Sequence, residues 1–112
     1  MALRERAPRV WWGRAERTFD YARANHAPYG RLAQCAGLVA QATSYAAHAV
    51  LAARGQWVTN EKTLLSRAGL RRVDEFIAAA RPDPGVMRDL VDRSRAVSSD
   101  AVREAMATLE RD

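Results

Sequence analysis

Hydrophobic residues recur along this chain every three or four positions, and nowhere do β-branched or aromatic residues alternate with polar ones over a useful length. The pattern predicts helices and no sheet. The first predicted helix spans about residues 8–25, with Pro8 in its first turn. A turn over residues 25–30 leads into the longest helix, about 29–54, which Gly55 ends in the C′ position.

Two shorter helices are predicted next. Thr59 or Asn60 is the expected N-cap of the third helix, about residues 61–68, and Gly69 ends it. The fourth helix covers about residues 71–80. Two prolines follow within a few residues, and because the residue before a proline is pushed out of helical geometry, the chain must break there.

The C-terminal part of the chain predicts two more helices. Asp83 is the expected N-cap of the fifth, about residues 84–95, because its carboxylate can accept hydrogen bonds from the free N–H groups of the first turn. Ser98 or Ser99 has the same expected role for a sixth helix, about residues 99–110. No repeat or linker separates these helices into domains.

The fold class that follows is all-α. We predict one domain over residues 1–112, a bundle of five or six helices around one long central helix, with no sheet. The central helix is rich in alanine, which lets neighbouring helices approach closely. At 112 residues the chain can bury a core without disulfides or a structural metal.

The net charge of +5 raises the question of a nucleic-acid partner. All but one of the 18 basic residues are arginine, and alanine is also over-used, which is typical of a GC-rich coding sequence. Only the first 31 residues are lopsided, with seven arginines against three acidic residues. A solvated helix face is therefore the favoured interpretation, and nucleic acid is the less favoured partner.

The sequence predicts neither a membrane partner nor export. Five polar residues interrupt the weakly polar stretch over 32–53, so it is interpreted as a buried helix. The N-terminus has arginines but no continuous apolar segment of a secretory signal. Together with the lone Cys35, which cannot form an internal disulfide, this favours a cytoplasmic protein.

Catalytic patterns are missing from the sequence. It contains no glycine-rich phosphate loop, and Cys35, His26 and His48 do not form a usual zinc site. Cys35 and His48 lie on one predicted helix about 20 Å apart, which is too far for a nucleophile and its base. We therefore predict no catalytic residue, no metal and no cofactor.

One segment nevertheless predicts a contact site. Trp57, Asn60, Glu61 and Lys62 place an aromatic ring, a helix start, a carboxylate and the one lysine within a few residues. His48, among small apolar residues, is either a packed histidine or a substrate contact. On residue chemistry alone the favoured interpretation of the segment is a tight turn, with Trp57 covering the edge of the core and Asn60 as a cap.

The runs over residues 35–42 and 47–62, continued by residues 64–70, resemble the helical C-terminal region of bacterial nucleotidyltransferase-domain proteins. In that family an N-terminal α/β domain carries a Gly-Ser pair and paired aspartates that bind the catalytic metals. The helical domain packs on it and forms part of the acceptor-substrate pocket, as in kanamycin nucleotidyltransferases. By resemblance, Trp57, Asn60, Glu61, Lys62 and His48 are expected to contact a substrate or the catalytic domain.

The catalytic half of that family is not present here, because the sequence has neither the Gly-Ser pair nor a D-x-D motif. The resemblance thus implies a non-catalytic accessory module that works with a nucleotidyltransferase domain supplied in trans. The same helical architecture relates to the HEPN family, which implies an interaction module of toxin–antitoxin type as an alternative. A small basic nucleic-acid-binding protein is the third. If the missing domain covers the central helix, that helix should expose an apolar stripe, through which a homodimer could also form.

Overall fold

The computed structural model describes residues 3–57 and 60–111. Within these ranges the chain forms five α-helices and no strand, which confirms the predicted all-α class. Short 3-10 turns over Ala27–Tyr29 and Glu61–Thr63 precede the second and third helices. The helices are α1, Leu3–Asn25; α2, Leu32–Ala53; α3, Leu64–Ala68; α4, Arg72–Ala78; and α5, Pro84–Arg111.

Helix α1 begins five residues earlier than predicted. Pro8 was expected in the first turn, but it lies inside the helix, where its ring is buried. A proline there removes one helical hydrogen bond and crowds the carbonyl of the residue four positions earlier, a cost that the burial of its ring offsets. Glu5 meanwhile suits the positive end of the helix dipole in the first turn. The prediction gave too much weight to proline as a start signal.

The predicted helix ends are confirmed where a local signal marks them. Gly55 follows α2 with φ of +69°, and the N–H of Gln56 donates to the carbonyl of Leu51 at 2.9 Å. This pairing closes the helix and satisfies a carbonyl of its last turn. Gly69 ends α3 in the same left-handed conformation, with φ of +74°.

Two of the predicted N-caps are also in place. The side chain of Asn60 accepts a hydrogen bond from the N–H of Lys62 at 2.9 Å, and that of Asp83 accepts one from Val86 at 2.9 Å. Thr59, the other candidate for the first of these caps, lies outside the described residues. Each cap fixes where a segment of helix begins.

The predicted fifth and sixth helices are one helix, α5, of 28 residues. The expected caps Ser98 and Ser99 lie in its interior, and Ser98 is fully buried. Helix α5 contains no glycine after Gly85 and no proline after its first residue. Its buried face also continues without a shift in spacing, because Ser94 and Ser98 occupy positions on that face. A serine with no glycine or proline beside it therefore does not end the helix here.

Helix α2 packs against α1, α3, α4 and α5, and α1 also packs against α5. Small residues along α2 are fully buried and let its neighbours approach closely; they include Ala42, Ala46, Ala47 and Ala49. From α1, Ala15, Phe19 and Ala22 enter the same core. None of the helices in the described ranges is both long and apolar enough to cross a lipid bilayer.

The exposed side of α2 differs from the expected apolar stripe. The solvent-facing positions of its first half hold small residues and glutamine: Ala33, Gln34, Gly37, Ala40 and Gln41. Large exposed hydrophobic side chains lie elsewhere in the described chain, on α1 and in the loops: Val10, Tyr21, Tyr29 and Trp57. The sequence indicated the low polarity of α2 correctly, but the larger apolar residues of this helix turn inward or are half-buried.

Ion pairs join α1 to α5 along one side of the molecule. Arg95 of α5 lies 2.8 Å from a carboxylate oxygen of Glu16 and 3.4 Å from one of Asp20. Arg23 of α1 forms two hydrogen bonds with the carboxylate of Asp92, at 2.7 and 3.1 Å. These contacts fix the orientation of the two helices beside their apolar core.

Candidate functional site

His48 lies near the C-terminal end of α2, between two adjoining grooves. One groove, of about 470 Å³, is bordered by Glu61, Lys62 and the start of α3, and we call it the α3 groove. The other, of about 480 Å³, is bordered by Trp57 and the N-terminal part of α1, and we call it the tryptophan groove. His48 lines both. The structure thus brings the predicted site residues to two sides of one histidine.

His48 stacks on an aromatic ring of the tryptophan groove. The indole of Trp11 lies against the imidazole of His48, with ring centroids 4.5 Å apart and ring planes 22° from parallel. Tyr45 lies 5.9 Å from the Trp11 centroid, and the guanidinium of Arg14 lies 5.0 Å from it. Trp11 is half-buried among these neighbours and borders the tryptophan groove, with a cation beside its ring.

Burial affects the protonation of His48. Desolvation by the surrounding helices lowers the pKa of His48 below its usual value of 6.5. The imidazole is therefore neutral near pH 7. A neutral imidazole offers one hydrogen-bond donor and one acceptor, which suits it to hold a polar group of a bound molecule.

The wall of the α3 groove is braced by Arg71. Its guanidinium donates to the hydroxyl of Ser66 at 3.0 Å and to the carbonyl of Lys62 at 3.4 Å, and it pairs with Asp74 at 3.1 Å. These bonds tie the 3-10 turn that carries Glu61 to the loop between α3 and α4. The side chains of Glu61 and Lys62 are left exposed at the edge of the groove.

Trp57 is held through its backbone, not through its ring. Arg67 donates to the carbonyl of Trp57 at 3.1 Å and to the side-chain oxygen of Gln56 at 3.4 Å. Arg54 in turn donates to the carbonyl of Arg67 at 3.0 Å. The Trp57 side chain is 89% exposed, so it does not cover the edge of the core as the tight-turn interpretation predicted.

Asn60 has a different role from its predicted neighbours. Its side chain accepts the hydrogen bond that begins the 3-10 turn and does not line either groove. It positions Glu61 and Lys62 without facing a ligand. Trp57 and the pair Glu61 and Lys62 border different grooves, with His48 between them.

Trp11 lines the tryptophan groove, although it was not among the contact residues predicted from the sequence. It also packs against the hydrophobic core, as Trp12 does. Arg4 likewise lines this groove, and no local pattern in the sequence indicated it.

No family model, no curated protein and no solved structure matches this chain. Its function must therefore be inferred from the geometry of the site.

Other candidate chemistry lies apart from the grooves. Cys35 is fully buried in α2, and burial raises the pKa of its thiol, so it stays protonated and unreactive. In the described part of the chain, no three His, Cys, Asp or Glu side chains come together as metal ligands. What the grooves offer is aromatic faces, hydrogen-bonding groups and charge.

Proposed function

We propose that this chain is a non-catalytic binding module that works beside a nucleotidyltransferase catalytic domain, and that the two grooves at His48 hold the acceptor substrate. The observation that carries the proposal is the Trp11–His48 stack, whose histidine lines both grooves. An aromatic side chain on one side of a neutral imidazole and a carboxylate on the other offer apolar contact and hydrogen bonds to a small polar molecule. The volumes of the grooves, about 470 and 480 Å³, are in the range of small-molecule sites.

The outward side of α2 supplies the docking surface in this proposal. None of the 22 residues of α2 is charged, although 28% of the whole chain is. Gln34, Gln41 and His48 follow one another at helical spacing, so this uncharged face leads directly to the site. A catalytic domain resting on it would bring its own active site beside His48 without burying an unpaired charge.

The charges around the grooves narrow the class of acceptor. Arg4, Lys62 and Arg71 border them against the carboxylate of Glu61. Like charges raise the free energy of a complex, so a polycationic aminoglycoside is disfavoured. We propose a neutral or anionic acceptor, in contrast to the kanamycin-type enzymes that the sequence resembles.

The test is reconstitution with a nucleotidyltransferase catalytic domain supplied in trans. Nucleotide transfer to a panel of anionic, neutral and cationic hydroxyl compounds is measured with and without this chain. We expect transfer only when both proteins are present, and none from this chain alone. His48→Ala should lower transfer at least about tenfold, since one well-placed contact contributes about 1.4 kcal/mol.

Arg103→Ala, a change on α5 that leaves both grooves untouched, is the matched control and should keep full transfer. Circular dichroism of each variant checks that the fold is retained. Equal transfer without this chain would overturn the proposal. So would a stable homodimer through α2 that excludes the catalytic domain, an outcome that would favour an interaction module.

A further inference from the structure

The arginines of this protein fall into two groups. Most of those outside α1 are engaged within the molecule. Arg95 pairs with two carboxylates, Arg93 lies 4.4 Å from the ring centroid of Phe76, and Arg71 joins three residues. Five of the six arginines of α1, by contrast, have no carboxylate oxygen within 4.0 Å in the described part of the chain: Arg4, Arg6, Arg9, Arg14 and Arg17. Of these five, Arg14 lies over the ring of Trp11.

The imbalance follows from the way α1 packs. Its two central carboxylates, Glu16 and Asp20, are both turned to α5, where Arg95 binds them. Glu5, in the first turn, is the third acidic residue of the helix. Glu16 is half-buried in this contact, whereas the side chain of Asp20 stays 63% exposed at the edge of the solvent side. The solvent side of α1 is therefore predominantly cationic, with arginines along most of its length.

The positions of these arginines follow from helix geometry. At about 100° per residue, Arg6 and Arg17 lie on the outward line of α1, about 16 Å apart along its axis. Arg9 lies on one side of that line and Arg14 on the other. Between Arg6 and Arg17, the outward line of α1 is occupied by Gly13 and the exposed Val10. The middle of this line therefore has small, uncharged side chains. We call this surface the outer face of α1.

We propose that the outer face of α1 binds the major groove of duplex DNA through phosphate contacts, independently of the function proposed for His48. A helix with its side chains is about 10–12 Å across, and the B-form major groove is about 12 Å wide. Arginines on both flanks can then reach the phosphates of both strands. The deep, narrow major groove of A-form RNA does not admit such a face, so RNA duplexes are excluded.

The contacts expected here carry little sequence information. Arginine binding to phosphate releases counterions and depends steeply on salt, whereas base recognition needs donors and acceptors aimed at base edges. The outward line offers Val10 and Gly13 at its centre, and neither side chain donates or accepts a hydrogen bond. The surface should therefore bind duplex DNA of any sequence with similar affinity.

The test is fluorescence anisotropy of a labelled DNA duplex with the purified chain, over a range of salt concentrations. Four phosphate contacts predict a slope of log K against log salt of about −3.6, or about a 150-fold loss of affinity between 50 and 200 mM salt. The double variant Arg6→Gln with Arg17→Gln removes two of the four contacts, so the slope should become half as steep, about −1.8. The same pair of changes at Arg88 and Arg93 of α5, neither of which borders the groove beside Arg9, is the control and should leave the slope unchanged.

Three results would overturn the proposal. One is an RNA duplex of the same sequence that binds as tightly as DNA. Another is tighter binding to polyglutamate than to DNA, which would assign the face to an acidic protein partner. The third is an equal loss in the α1 and α5 variants, which would show attraction by net charge alone. None of these results depends on the acceptor or the catalytic domain, so the two proposals fail separately.

Discussion

The two sides of α1 use the same amino acids in opposite ways. On the inner side, Phe19 is fully buried and the half-buried Glu16 binds an arginine from α5, which also reaches the exposed Asp20 at the edge of that side. On the outer side, Arg6 and Arg17 are exposed and lie beyond the reach of any carboxylate in the described ranges. An arginine stabilises this fold where a second helix brings an acid to it and is available to a partner where none does. Substitutions on the two sides should therefore have different readouts.

The largest difference is expected at the buried position. Phe19→Ala removes a fully buried aromatic side chain and leaves a cavity, so it should lower the free energy of unfolding by about 3–5 kcal/mol. Val10→Ala, on the outer face, should change it by less than about 0.5 kcal/mol. Urea denaturation followed by circular dichroism measures both. A similar cost at the two positions would mean that the outer face is also covered.

A smaller difference is expected between the two kinds of arginine. Arg95→Ala breaks the pairs with Glu16 and Asp20, and because the site is half-exposed it should cost about 1 kcal/mol of unfolding free energy. Arg17→Ala should be neutral within about 0.5 kcal/mol. The cost at Arg95 should also shrink in high salt, which screens exposed ion pairs. An equal effect of both changes would remove the distinction between engaged and available arginines.

The smallest change in the free energy of unfolding is expected on the inward face of α5, and there the substitutions should stabilise the protein. The hydroxyls of Ser94 and Ser98 are buried and have no hydrogen-bond partner among the described residues. Replacing either by alanine removes an unsatisfied polar group and improves helix propensity, so stability should rise by about 0.5 kcal/mol. Ser99, whose hydroxyl accepts a bond from Arg103, is the control and should gain less. Thermal unfolding checks this, and a loss of stability would indicate a partner for these hydroxyls.

The candidate site was predicted only in part. Residue chemistry around Trp57, Glu61 and Lys62 indicated a contact site, and the structure brings them to the two grooves beside His48. The sequence did not indicate that Trp11 would complete the site. Its contact with His48 joins residues from two different helices, and no local spacing encodes such a pair.

The sequence by itself determined the all-α class and the helix ends at Gly55, Asn60, Gly69 and Asp83. These features depend on backbone conformations and hydrogen bonds within a few residues, so local sequence is enough to specify them. It did not determine that α5 continues through Ser98, because a serine serves equally as a cap or as a small buried residue.

Only the tertiary structure decided which charges are used within the molecule. Arg23 pairs with a carboxylate 69 residues away, and Arg95 with one 79 residues away. In the sequence, three acidic residues stand among the six arginines of α1, which suggests that they neutralise about half of the positive charge. In the folded chain, two of those acids pair with Arg95 of α5, and five of the arginines have no carboxylate partner in the described ranges. The apolar stripe decides this, because it fixes the rotation of α1 about its axis.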